Sequence, residues 1–353
     1  MTFMPSSATV QGQGSFTHRD PAVPLPVPAQ GSGPDAVAAR VEERELVFDG
    51  LTYVCRMARA GGTGTPILIL GGSEQNRTSW TRHEKRLVQD APVVTVDLPG
   101  YGGADFLPAR YGVDHLAAAT RHMVDALGLE RIGLFGTCFG GAIALRFAQH
   151  YPAYVERLLL SGMTTGVTDE YTAAMERWDR MIARGDTLDI ARELTDRFMS
   201  PPGTGTVRKH AAVARLVYQQ IAGQSPDSLR KSAEHNRRLL RHEWYRPEPC
   251  PAVPALVVTG EHDTLTTPDM GRRVASVLPD AQFLTVLETD HLAPLERSAD
   301  FADLMARFLG GQPVTGLPYA TAPESFVGGA ALHGRGEASA AGVGAGWGGH
   351  DEW

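Results

Sequence analysis

The sequence predicts an α/β domain: a mostly parallel, doubly wound sheet with a helical cap inserted between two strands. Two observations carry this. Short unbroken apolar runs alternate with amphipathic stretches of helical length, the rhythm of parallel strands covered on both faces. Between residues 164 and 246 that alternation stops and only helical patterns remain.

The elements follow in order. Residues 1–40 are rich in Pro, Gly, Ser, Ala and Gln; too little apolar surface is available there to offset ordering entropy, so a disordered tail is expected. Two strands, 44–48 and 51–56, flank Asp49-Gly50, a dipeptide that favours a tight hairpin turn. The run TPILIL (65–70) reads as a buried strand ending in Gly71-Gly72-Ser73. A short helix over 80–89, the strand PVVTVD (92–97) and the loop LPGYGG (98–103) follow. An amphipathic helix over 113–127 leads to the strand 132–135, and a second helix runs from 141 to 150. The strand 155–161 precedes the cap.

Within the cap, helices are expected at 171–184, 187–199, 208–223 and 226–242, separated by breakers such as Pro201-Pro202-Gly203. Trp178, Tyr218 and Trp244 are the aromatics there that could face a substrate, although aromatics at helical spacing more often pack than bind. The sheet resumes at ALVVT (255–259) and 282–286, and a helix over 300–309 closes the domain. The core is thus 41–163 with 247–310, the cap 164–246, and the Gly- and Ala-rich residues 311–353 a second disordered tail.

Composition narrows the function. The 353 residues carry a net charge of −7 with no dense block of one sign, so neither nucleic acid nor an anionic membrane surface is an expected partner. All but three of the 33 basic residues are arginine. The cysteines, Cys55, Cys138 and Cys250, are odd in number and lack metal-ligand spacing. No metal, cofactor or disulfide framework is expected. No apolar run approaches the length needed to span a bilayer and no signal-peptide pattern opens the chain; a soluble cytoplasmic protein is the expectation.

The chemistry centres on IGLFGTCFGGAIA (132–144). It reads as strand, tight turn and helix, with Cys138 at the tip. A residue forced into a strained strand-to-helix turn leaves no room for side chains two positions away on either side, and Gly136 and Gly140 stand there. A glycine-rich turn around a buried structural cysteine is the alternative. Beyond later strands come GEHD (260–263) and DH (290–291).

These motifs resemble the α/β-hydrolases over residues 44–310. GTCFGG is similar to the nucleophile elbow with cysteine in place of the usual serine, and DLPGYGG, GEHD and the final DH match in order. The resemblance implies Cys138 as nucleophile, His291 as general base and acid, and Asp263 as the group orienting the imidazole. Glu261 or Asp290 could instead be the acid, and His262 the histidine. It also implies an oxyanion hole from the backbone N–H groups of Phe139 and Ser73, although Gly71 replaces the histidine usual in that loop. The side chains of Ser73, Glu74 or Gln75 could also reach the pocket.

A cysteine acyl-enzyme is a thioester that keeps its acyl group activated. The expected function is therefore acyl transfer, as a thioesterase, acyltransferase or cyclase in a biosynthetic pathway. The acyl substrate would be a small molecule, free or held on an acyl carrier protein. The alternatives are a lactone or carboxylester hydrolase resembling dienelactone hydrolases, which lack such a lid, and a non-catalytic ligand-binding member of the fold.

Overall fold

In the computed structural model, the residues described are 39–201, 205–327 and the backbone of 330–331. The expected N-terminal tail therefore lies outside the described residues except at its last two positions.

Strands β1 (Arg40–Phe48) and β2 (Leu51–Arg59) form a hairpin longer than the sequence pattern suggests. Asp49 and Gly50 both have positive φ, 50° and 74°, as a two-residue turn of matching twist requires. Then follow β3 (Ile67–Leu70), α1 (Thr81–Leu87), β4 (Val93–Asp97), α2 (Val113–Ala126), β5 (Ile132–Thr137), α3 (Phe139–His150) and β6 (Val155–Ser161). Four helices come next: α4 (Asp169–Arg184), α5 (Thr187–Phe198), α6 (His210–Ala222) and α7 (Pro226–Arg241). The sheet resumes with β7 (Ala255–Gly260), α8 (Pro268–Ser276), β8 (Asp280–Val286), α9 (Ala293–Glu296) and α10 (Ser298–Leu309).

The strand order is β1-β2-β4-β3-β5-β6-β7-β8, extended by β9 (Glu324–Val327) and β10 (Ala330–Ala331). From β4 to β8 every pairing is parallel, and the flanking pairings are antiparallel. Successive strand residues face opposite cores. Leu68, Leu70, Leu134, Leu158 and Leu160 pack with α2, α3 and α8 on one face. Ile67, Ile69, Phe135, Leu159 and Leu256 pack with α1 and α10 on the other. A third cluster, including Met175, Trp178, Ile190, Leu194 and Val217, holds α4 to α7 together.

One expectation is overturned. Residues after 310 do not all leave the domain: Val314, Tyr319 and Phe326 are buried, and β9 pairs antiparallel with β8. The unpaired edge of β8 supplies the backbone partners that this weakly apolar segment needs.

Candidate active site

The turn after β5 is tight enough to strain its central residue. Cys138 has φ 51° and ψ −123°, a region that a non-glycine residue occupies only when its surroundings enforce it. The neighbours explain the glycines. A Cβ on Gly140 would lie 2.2 Å from the Leu70 carbonyl oxygen, and one on Gly136 would lie 2.5 Å from the Ala144 Cβ. Helix α3 begins at Phe139, two residues before the expected start, so its positive N-terminal end abuts the sulfur.

Beyond β7, the buried Asp263 carboxylate is held by its own loop. Oδ1 accepts the N–H groups of Leu265 (2.8 Å) and Thr266 (2.7 Å), and Oδ2 accepts the Thr266 hydroxyl (2.7 Å). The same Oδ2 lies 2.9 Å from His291 Nδ1. Burial alone would pull the His291 pKa down. The Asp263 charge and hydrogen bond, together with a hydrogen bond and charge from Cys138, outweigh that and raise it well above the ordinary range. Cys138, His291 and Asp263 are thus brought together from the ends of β5, β8 and β7. The Phe198 ring, at the end of α5, stacks on His291 at 5.8 Å and 18°.

The other candidates stand elsewhere. Asp290 uses its carboxylate on the backbone N–H groups of His291 (2.7 Å) and Ser200. Glu261 accepts the N–H of Glu288 at 2.8 Å, and the His262 Nε2 is 3.7 Å from Glu261.

Of the loop after β3, Gly72 approaches the Cys138 Cβ closely enough that its own Cβ would sit 3.4 Å away. Its N–H donates to Gln75 Oε1 at 2.8 Å, so Gln75 shapes the loop. The N–H groups of Ser73 and Phe139 have no acceptor among the described residues, and Ser73 lines a cleft with Cys138 and His291. Glu74 lines it too. Burial raises the Glu74 pKa despite hydrogen bonds from Gln224 (2.6 Å) and Ser232.

Two cavities meet at the sulfur. The first, about 580 Å³ with its open mouth, runs under the cap between Phe139, Met163, Tyr171, Arg197, Trp244 and Met270. The second, about 480 Å³ with its open mouth, holds Ser73, Glu74, His291 and Leu295. Trp244 therefore faces a cavity, whereas Trp178 is buried in the cap cluster and Tyr218 packs against it. Sequence reasoning missed Tyr171, Arg197 and Phe198. Helical spacing puts Tyr171 and Arg197 on the same stripes as the packing residues Trp178 and Leu194, so it does not separate cavity lining from cap packing.

A family model described as the alpha/beta hydrolase fold matches residues 65–298. The chain is 27% identical over 252 residues to a 2-hydroxy-6-oxononadienedioate/2-hydroxy-6-oxononatrienedioate hydrolase of Paraburkholderia phymatum, covering 69% of this chain and 86% of that one. It is 24% identical over 266 residues to the 2-hydroxy-6-oxo-2,4-heptadienoate hydrolase of Pseudomonas putida, covering 71% and 91%. Among solved structures, the enol-lactonase from Burkholderia xenovorans superposes with a TM-score of 0.66 at 19% identity, over 75% of this chain and 99% of that one. That last likeness is one of fold.

Proposed function

Because the chain belongs to the alpha/beta hydrolase fold family, matched over residues 65–298, we propose that it hydrolyses carboxylic esters or lactones through an acyl intermediate on Cys138. One observation carries the reading: a cysteine on a strained elbow, lining the same cleft as a buried histidine that is itself held by a buried aspartate. The named relatives being hydrolases, water is the acceptor assigned here, in place of the broader acyl transfer that a cysteine nucleophile suggests.

The steps follow from the geometry. With Nδ1 engaged by Asp263 at 2.9 Å, Nε2 of His291 takes the thiol proton and the sulfur attacks the carbonyl. The developing oxyanion is received by the N–H groups of Phe139 and Ser73, which have no acceptor among the described residues. As the tetrahedral species collapses, the carbon–oxygen bond breaks and His291 returns its proton to the leaving oxygen. Water, deprotonated by His291, then cleaves the thioester and releases the acid. His291 lines the second cavity and not the first. The leaving oxygen must face His291, so the leaving group occupies the second cavity and the acyl part the first.

A 2-hydroxy-6-oxo-dienoate is the second substrate class, favoured by relatives aligned over about 70% of the chain. Turnover of a panel of aryl esters, lactones, acyl thioesters and such dienoates, with product acids identified by mass, tests the reading. Hydrolysis of esters or lactones that is lost in Cys138→Ala is expected. Turnover only when an alcohol, amine or thiol acceptor is added would replace hydrolysis with acyl transfer, and no turnover of any acyl donor would favour a binding role.

A further inference from the structure

The wall of the first cavity is apolar at Phe139, Met163, Val167, Leu239 and Met270, and among the described residues its one charged side chain is Arg197. A guanidinium presents parallel N–H groups along each edge. Glu170 takes Nη1 at 2.6 Å from a position 81% exposed to water. Nε is buried and, like Nη2, has no acceptor among the described residues. The guanidinium carbon sits 5.3 Å from the centre of the Tyr171 ring, within cation–π range.

Tyr171 adds a second donor. Its hydroxyl has no protein partner among the described residues while its ring packs edge-on against Trp178 at 5.5 Å. Burial, reinforced by the nearby Cys138 charge, keeps the phenol un-ionised and therefore able to donate. A buried unpaired guanidinium N–H is costly unless an acceptor arrives, and a planar carboxylate matches its geometry better than a neutral carbonyl does.

We propose that Arg197 and Tyr171 form a carboxylate subsite on the wall of the acyl cavity, selecting esters whose acyl part carries a second, ionised carboxyl group. The proposal rests on the hydrolase reading for its substrate, with the scissile carbonyl at Cys138 and the chain running along the methionine-lined wall. Arg197 is a specificity-determining residue in this scheme and takes no part in bond making.

The test pairs p-nitrophenyl monoesters of straight-chain dicarboxylic acids, adipate to suberate, with the neutral esters of equal chain length. The ratio of kcat/KM, acid-ended over neutral, is expected to exceed one in the wild type for at least one length. It should fall by roughly ten- to a hundredfold in Arg197→Met, as for loss of a charged hydrogen bond, and recover in part in Arg197→Lys. A neutral preference at every length, or a ratio unmoved in Arg197→Met, would overturn the subsite. Binding separates this from failure of the hydrolase reading. If no ester turns over, free adipate, pimelate or suberate should still raise the Tm of Cys138→Ala more than the matching monocarboxylate does, and lose that advantage in Cys138→Ala/Arg197→Met. Without that difference, the subsite fails as well.

Discussion

Replacing Glu296 by glutamine should make the protein more stable at alkaline pH and leave it nearly unchanged at acid pH. Glu296 lies in α9, 1% exposed, and its Oε2 accepts the N–H of Asp290 at 2.7 Å while Oε1 has no partner among the described residues. Burial, together with the Asp290 and Asp263 charges, raises its pKa from 4.5 to about 8, against the opposing Asp290 N–H and His291. A carboxyl whose folded pKa is raised keeps a proton that the unfolded chain releases. Its favourable contribution is therefore present below the unfolded value and lost as pH rises toward the folded one. Between about pH 5 and about pH 8 this linkage amounts to about 3 kcal/mol of stability lost. Glutamine keeps the acceptor for Asp290 and removes the proton. Urea unfolding of both proteins at the two pH values should show the variant gaining about 3 kcal/mol relative to wild type between them. Parallel stability profiles would refute the reasoning, because the carboxyl would then titrate alike folded and unfolded.

Gly140→Ala should cost about 3 kcal/mol or more by denaturant unfolding, since the new Cβ would meet the Leu70 and Gly71 carbonyl oxygens at 2.2 and 2.3 Å; an unchanged midpoint would show that the loop can yield. Phe326→Ala should destabilise by about 3 kcal/mol if β9 is part of the folded sheet, and a neutral effect would return that segment to the status of a tail. His291→Ala should slow alkylation of Cys138 by iodoacetamide near pH 7 roughly tenfold, because an unassisted thiol is only slightly ionised there. An unchanged rate would break the pairing.

The strained turn at Cys138 and the placing of Asp263 and His291 beyond later strands were legible in the sequence because each depends on local chemistry. Gly136 and Gly140 mark a turn that excludes Cβ atoms, and Asp263 and His291 follow strands recognisable as apolar runs. The Asp49-Gly50 hairpin was legible for the same reason. What escaped depended on tertiary packing. The segment 324–327 has a single buried aromatic, Phe326, and becomes a strand only because β8 offers an unpaired edge. Tyr171 and Arg197 share the inward stripes of α4 and α5 with Trp178 and Leu194, and only the way those helices close over the elbow decides which of these residues line the sulfur's cavity and which pack the cap. Asp290 looked like an alternative acid, yet its carboxylate serves the N–H groups of His291 and Ser200, tying the cap to the histidine loop.

The most direct test of the central claim is the intact mass of the protein, acid-quenched during turnover of a p-nitrophenyl ester, with the modified peptide identified by fragmentation. The account predicts an added acyl mass on Cys138 in wild type, accumulating in His291→Ala if that variant still acylates, and absent from Cys138→Ala, which should also lose turnover. An acyl group on another residue, or hydrolysis undiminished in Cys138→Ala, would contradict it.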